Sequence, residues 1–152
     1  MATSTDNQLP IEDRLAIEQQ CTRLSYAFAY HIDHGEFEEM IALFTEDGVF
    51  DRAGLVHRGH DELREGMRER PPITTRHVMT NFYFDTVGPD VATGTVYVMT
   101  YHAHGSYSGE AMVYGTEHGR LMELRDEYRL TVDGWRIASR IGTPIFVPKV
   151  WP

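Results

Sequence analysis

The sequence predicts an α+β domain, three helices followed by a mostly antiparallel sheet. Three observations predict it. Ile11, Leu15, Cys21, Leu24, Phe28 and Ile32 mark one apolar face of a long helix. Phe37, Met40, Ile41 and Phe44 repeat that pattern in a shorter helix, at the spacing of one buried stripe. Pro71-Pro72 then breaks the chain, and beyond it the apolar period changes from helical to alternating. Four long alternating stretches follow. A strongly curved sheet of that size, with helices on its concave side, encloses a cavity.

The elements are expected in this order. Residues 1–8 are polar and expected to be disordered, a single domain covers 9–147, and 148–152 is a tail. Pro10 suits the start of the first helix, where its missing N–H costs nothing, and Glu12 and Asp13 favour the positive end of the dipole. Gly35 ends that helix, leaving Asp33 in its last turn, where a side chain can point into a pocket. After the second helix, Glu46-Asp47-Gly48 is turn chemistry. Val49-Phe50 and Leu55-Val56-His57 read as short strands around Arg52-Ala53-Gly54. A third helix runs from His60 to about Arg68. The long strands are Thr75–Val87, Thr93–His104, Arg120–Val132 and Trp135–Phe146, with compact turns at Gly88-Pro89-Asp90 and Asp133-Gly134. Residues 105–119 form a longer loop, expected at a pocket mouth. In the third long strand Glu123, Arg125, Glu127, Arg129 and Thr131 face water. Met122, Leu124, Asp126, Tyr128, Leu130 and Val132 then face inward, so Asp126 is an acid on an otherwise apolar face.

The bulk numbers exclude several classes. A formal charge of −9 disfavours a nucleic-acid partner and an anionic membrane surface. No apolar run approaches the ~20 residues that span a bilayer. The N-terminus lacks a basic region followed by an apolar core, so no signal peptide is expected. A single cysteine cannot form an internal disulfide, and a reducing cytoplasm is the simplest home. Cys21 lies on an apolar helical face and reads as buried and inert. The eight histidines include the pairs His31/His34, His57/His60 and His102/His104, but none forms a zinc signature, and no metal or cofactor is expected. His102 and His104 read as pocket-rim or surface residues.

Ile11-Glu-Asp-Arg-Leu-Ala-Ile-Glu, Asp33-His-Gly-Glu-Phe and Leu43-Phe-Thr-Glu-Asp-Gly-Val-Phe open a longer pattern. Gly59-His-Asp-Glu-Leu-Arg, Thr75-Arg-His-Val-Met-Thr-Asn81 and Asp133-Gly-Trp-Arg-Ile137 complete it. In this order and spacing the chain resembles the SnoaL-like branch of the NTF2-like superfamily, a cone-shaped α+β fold. It most resembles the subset that includes scytalone dehydratase and bile-acid dehydratase, which remove water from cyclic substrates with an Asp–His pair and tyrosines. The resemblance implies that Asp33 and His77 are that pair. The family tyrosine position holds Phe28, with Tyr30 or Tyr26 as possible replacements. Asp126 matches by spacing the acid of ketosteroid isomerase, and the alternative for it is an ion pair with an arginine such as Arg140.

The chemistry implied is elimination. Histidine suits both halves of it, as base for a C–H proton and acid for a leaving oxygen, because its ordinary pKa of ~6.5 is near working pH. An Asp on one ring nitrogen fixes the tautomer and favours the imidazolium. His77 is thus the expected acid/base, Asp33 its orienter and Tyr30 a donor to a developing enolate oxygen. Met79, Asn81 and Tyr83 share the strand face of His77. Phe28, Tyr26, Phe50, Asn81, Tyr83, Asp126 and Tyr128 are the expected substrate-binding residues. The leading expectation is a cofactor-independent lyase acting on a small cyclic or aromatic molecule. A ketosteroid-isomerase-like enzyme and a non-catalytic binding or assembly module are the alternatives. The last gains ground if Asp33 and His77 lie more than ~6 Å apart. The apolar tail from Pro144 to Pro152, including Phe146 and Trp151, suggests a pocket lid or a contact with a second subunit in a dimer or trimer.

Overall fold

The computed structural model describes residues 9–114 and 119–149. The expected disordered segment 1–8, and Trp151 in the tail, lie outside them. The elements run α1 (Ile11–His34), α2 (Phe37–Ile41), β1 (Phe44–Arg52), β2 (Leu55–Arg58), α3 (Gly59–Arg68), β3 (Ile73–Val87), β4 (Val91–His104), β5 (Gly119–Thr131) and β6 (Gly134–Phe146). The six strands form one curved sheet in the order β2-β1-β6-β5-β4-β3. All neighbours are antiparallel except β1 and β6, which run parallel. Among the described residues no helix is long and apolar enough to cross a membrane.

α1 lies on the concave side against β3, β4 and β6. Its buried residues are Cys21, Ser25, Phe28, Ala29 and Ile32, one stripe at helical spacing. Ile11 and Leu15, assigned to the same face from the sequence, are exposed. The helix ends at Gly35, whose φ of 73° is left-handed and whose N–H donates to the His31 carbonyl. Burial pushes the Cys21 thiol up to about 12, and the charges of Asp126 and Glu18 add to it. This cysteine is inert packing.

Four expectations are corrected at this level. α2 stops at Ile41, and Phe44 begins β1 rather than closing the helical stripe. Glu46-Asp47-Gly48 makes no free turn. It lies within β1, whose register with β6 jumps from Phe44↔Ile137 to Val49↔Ser139, so the turn residues serve a bulge. The described part of the 105–119 loop packs on the convex face, with Arg76 over the Tyr107 ring and Tyr114 edge-on to Tyr101. Leu130, near the end of β5, and Val132, just past it, are exposed although they continue the inward alternation. The inward alternation holds through Tyr128 and is lost only where the strand runs out into the Asp133-Gly134 turn.

The core fills the narrow end of the cone. Phe28 meets Phe44 and Phe50 edge-on, with centroids 6.1 and 5.3 Å apart, and Met40, Ile41, Leu63 and Ile137 close around them. Below them lies a buried polar network. Arg140 donates from Nε to Asp126 Oδ1 at 2.9 Å and from Nη2 to Asp126 Oδ2 at 2.7 Å. Its guanidinium also sits 4.5 Å from the centre of the Phe28 ring. Tyr128 donates its hydroxyl to Asp126 at 2.7 Å and contacts Ser25 Oγ at 2.8 Å. Burial, then the Asp126 charge, pushes the Tyr128 hydroxyl well above the usual phenol range, so it stays neutral.

Candidate active site

Asp33 and His77 meet where the last turn of α1 crosses β3. Asp33 Oδ1 lies 2.6 Å from His77 Nδ1, and Oδ2 accepts the His77 backbone N–H at 2.7 Å. Thr75 Oγ1 donates to Oδ1 at 2.7 Å and itself accepts from Arg70 Nη2 at 2.8 Å. The side chains of His77 and Asp33 keep only 12% and 6% of their surface exposed. The register explains the convergence. Thr75 and His77 both face inward on β3, so two residues apart they embrace one carboxylate.

The carboxylate stands at the negative end of the α1 dipole, and burial also works against its charge. The hydrogen bonds and charge of His77, with the Thr75 hydroxyl, outweigh burial and hold Asp33 below the usual carboxylate range. A depressed folded pKa means that Asp33 contributes stability above its unfolded pKa. That contribution is lost as pH falls through the folded value. Replacing Asp33 with Asn is therefore expected to flatten the acid limb of thermal stability against pH. An unchanged limb would show that Asp33 is not held as an anion.

The bond to Asp33 occupies Nδ1 and leaves Nε2 as the nitrogen available to a ligand. His77 lines a cavity of about 560 Å³, within the range of small-molecule sites. Its interior wall is apolar, built from Phe28, Phe50, Met79, Val98, Met122 and Leu124. Thr100, opposite His77 in the β3–β4 register, and His102, opposite Thr75, also line it.

The sequence-named residues divide sharply. His77, Phe28 and Phe50 line the cavity, and Asp33 backs His77. The other six named residues do not line it. Tyr26 and Tyr30 are half exposed, Tyr26 edge-on to Phe82 and Tyr30 stacked on His34. Each is two residues from Phe28, or about 200° around the helix axis, so neither can supply a hydroxyl at the Phe28 position. Among the described residues no tyrosine lines this cavity.

Asn81 and Tyr83 are corrected by a bulge. Asn81 has a left-handed φ of 55°, and the β3–β4 register slips between Thr80 and Tyr83. The slip reverses which residues face inward, so Phe82 and Phe84 turn to the core while Tyr83 is 66% exposed. The Asn81 side chain accepts from Thr80 Oγ1 outside the cavity. Asp126 and Tyr128 are buried but committed to Arg140 and Ser25 beneath it.

Sequence reading passed over Arg52, His57, Arg70, Thr100 and Arg120, all of which line the cavity. Thr100 was accessible by counting back along the β3–β4 hairpin. The others come from separate elements and carry no local signal. His57 crosses so close over α3 that any Cβ at Gly66 would collide with its ring, which explains that glycine. Among the described residues no group of three His, Cys, Asp or Glu side chains is placed to hold a metal ion.

Comparison with known proteins supplies a family and a fold. Residues 11–141 match the model of the SnoaL-like domain. A proposed aromatic ring hydroxylase from Novosphingobium aromaticivorans superposes with a TM-score of 0.69 at 28% identity, covering 91% of this chain and 93% of that one. A proposed scytalone dehydratase from the same organism gives 0.74 at 19% identity, over 94% and 93%. A type 2 hexachlorocyclohexane dehydrochlorinase, LinA, gives 0.73 at 17% identity, over 94% and 95%. No curated protein sequence matches significantly.

Proposed function

This chain belongs to the SnoaL-like domain family, and from that premise we propose that it is a cofactor-independent lyase acting on a small cyclic or aromatic substrate. The observation that carries the reading is the imidazole of His77, held by Asp33 through Nδ1, in a side chain that lines a cavity with an apolar interior wall. In the proposed step Nε2 takes a proton from a carbon beside a carbonyl or phenol. The C–H electrons form the new double bond, and the C–O bond to the leaving hydroxyl breaks. The imidazolium, stabilised by Asp33, returns the proton to that oxygen and water departs. The apolar wall excludes bulk water and orients the ring. The names of two structural relatives, a proposed dehydratase and a dehydrochlorinase, agree with elimination as the reaction class.

The isomerase alternative has weaker support. It needs a carboxylate free to shuttle a proton in the cavity, and Asp126 is held by Arg140 while Asp33 is held by His77 and Thr75. The non-catalytic alternative is disfavoured by the direct contact of the pair. The test is a panel of cyclic β-hydroxy ketones and hydroxylated phenolic compounds, followed by the ultraviolet absorbance of the new conjugated double bond. Deuterium exchange into a bound ketone without loss of water would favour the isomerase instead.

We also propose that the convex face of the sheet meets a second copy of the chain. Val78, Met99, Leu121 and Phe146 lie in register across four strands, and Val78, Met99 and Phe146 are exposed. A homo-oligomer that falls to monomers in Met99→Glu, measured by light scattering, is the expected result. A wild-type monomer would refute it.

A further inference from the structure

The wide end of the cavity has a character that the elimination chemistry does not use. Three guanidinium groups line it, each from a different element: Arg52 at the end of β1, Arg70 just past α3 and Arg120 near the start of β5. They gather there in a chain of net charge −9, against the sign of the whole molecule. Like charges held close in a partly dry cavity repel, and a guanidinium there with no anion beside it carries a further cost.

Arg52 is the most exposed to that cost. Its Nη2 meets only His57 Nε2, at 3.3 Å, and its Nε is buried with no hydrogen-bond partner among the described residues. The ring of Phe50, 5.9 Å from its guanidinium carbon, offers a face but no acceptor. Burial lowers the pKa of Arg52, and no described carboxylate offsets it. The charge of Arg52 in turn lowers the pKa of both Arg70 and Arg120, after burial, which places the three within electrostatic reach.

Among the described residues, the acids near Arg52 and Arg70 are engaged or outside. Asp51 accepts the Gly54 N–H at 2.6 Å within its hairpin, and Glu69 is exposed at the rim. Asp33 supports Arg70 electrostatically while bonded to His77 and Thr75.

We propose that this end of the cavity is an anion subsite in which Arg52, flanked by Arg70 and Arg120, receives a carboxylate carried by the substrate. The proposal rests on the cavity being a substrate site and narrows that substrate to an aromatic or alicyclic acid. Its apolar body lies along Phe28, Met79 and Met122 toward His77, and its carboxylate accepts from the Arg52 Nη groups. A planar guanidinium fork suits a carboxylate by geometry as well as charge.

The experiment compares trans-cinnamate with its neutral counterpart cinnamamide by titration calorimetry on the wild-type chain. Cinnamate is expected to bind at least about tenfold more tightly, since a hydrogen bond to a charged group exceeds a neutral one by about that factor. The preference should weaken with salt. Arg52→Gln should remove it, while Arg52→Lys keeps part of it. His77→Asn should retain it, so the subsite is measured separately from turnover, and loss of the lyase reading would leave this result standing. Equal binding of the two compounds, or binding of neither, overturns the proposal. So does inorganic phosphate binding as tightly as cinnamate, which would assign the arginines to a free anion rather than to a substrate. The comparison on the unmutated chain decides the matter even if Arg52→Gln does not fold.

Discussion

Replacing His77 with alanine is expected to lower turnover by about 10²- to 10⁴-fold while leaving substrate affinity nearly unchanged. The size follows from the role. Among the described residues, His77 is the cavity-lining imidazole whose Nδ1 is held by a buried carboxylate, so its ring is fixed with the other nitrogen left for proton transfer. Its removal takes the base and the acid together, whereas the apolar wall that binds the ring stays intact. Single-turnover rates on an eliminating substrate, set beside its dissociation constant, separate the two effects. Asp33→Asn should produce a smaller fall, because the ring loses its orienter but keeps its proton chemistry. Turnover unchanged in His77→Ala would remove this residue from the mechanism and with it the lyase reading.

Asp126→Ala should be the most destabilising single change in the molecule, by about 3–5 kcal/mol. The Arg140 side chain is fully buried, and Asp126 supplies both of the carboxylate oxygens that answer it. Burial alone would lower the Arg140 pKa, and the charge and hydrogen bonds of Asp126 reverse that and raise it. Arg140 Nη1 is already without a hydrogen-bond partner among the described residues, so no reserve exists when the acid goes. Tyr128 and Ser25 lose their arrangement at the same time. For a chain of this length the loss corresponds to a fall in Tm of roughly 10 °C. Thermal unfolding followed by circular dichroism measures it. The double replacement Asp126→Leu with Arg140→Met should recover much of the loss, since an apolar pair of similar volume needs no charge partner. A Tm within about 1 °C of wild type for Asp126→Ala would refute the buried-pair account. The contrast with His77→Ala separates the two inward acids. Asp33 serves a group that faces a ligand, and Asp126 serves the packing.

Periodicity was enough to reveal the helices, the long strands and the concave core, because a 3.6-residue or two-residue repeat is a local property. The same rule failed wherever one residue too many entered a strand. Tyr83 was assigned inward from an unbroken alternation with His77, and the left-handed Asn81 between them turned it outward. Helix rotation likewise put Tyr26 and Tyr30 outside, although both are near Phe28 in the chain. Asp33 and His77 could be named from the sequence only through a family pattern, since 44 positions separate them.

The chain's own order of residues therefore determined the class of fold, the chemistry available to it and the polarity of each regular segment. Only the folded arrangement decided that Asp126 would neutralise Arg140 instead of facing a ligand, and that Arg52, Arg70 and Arg120 would gather at one cavity end. The reason is physical. Charge pairing and cavity shape depend on distances between segments remote in sequence, and those distances are set when β1, α3, β3 and β5 close around a common space.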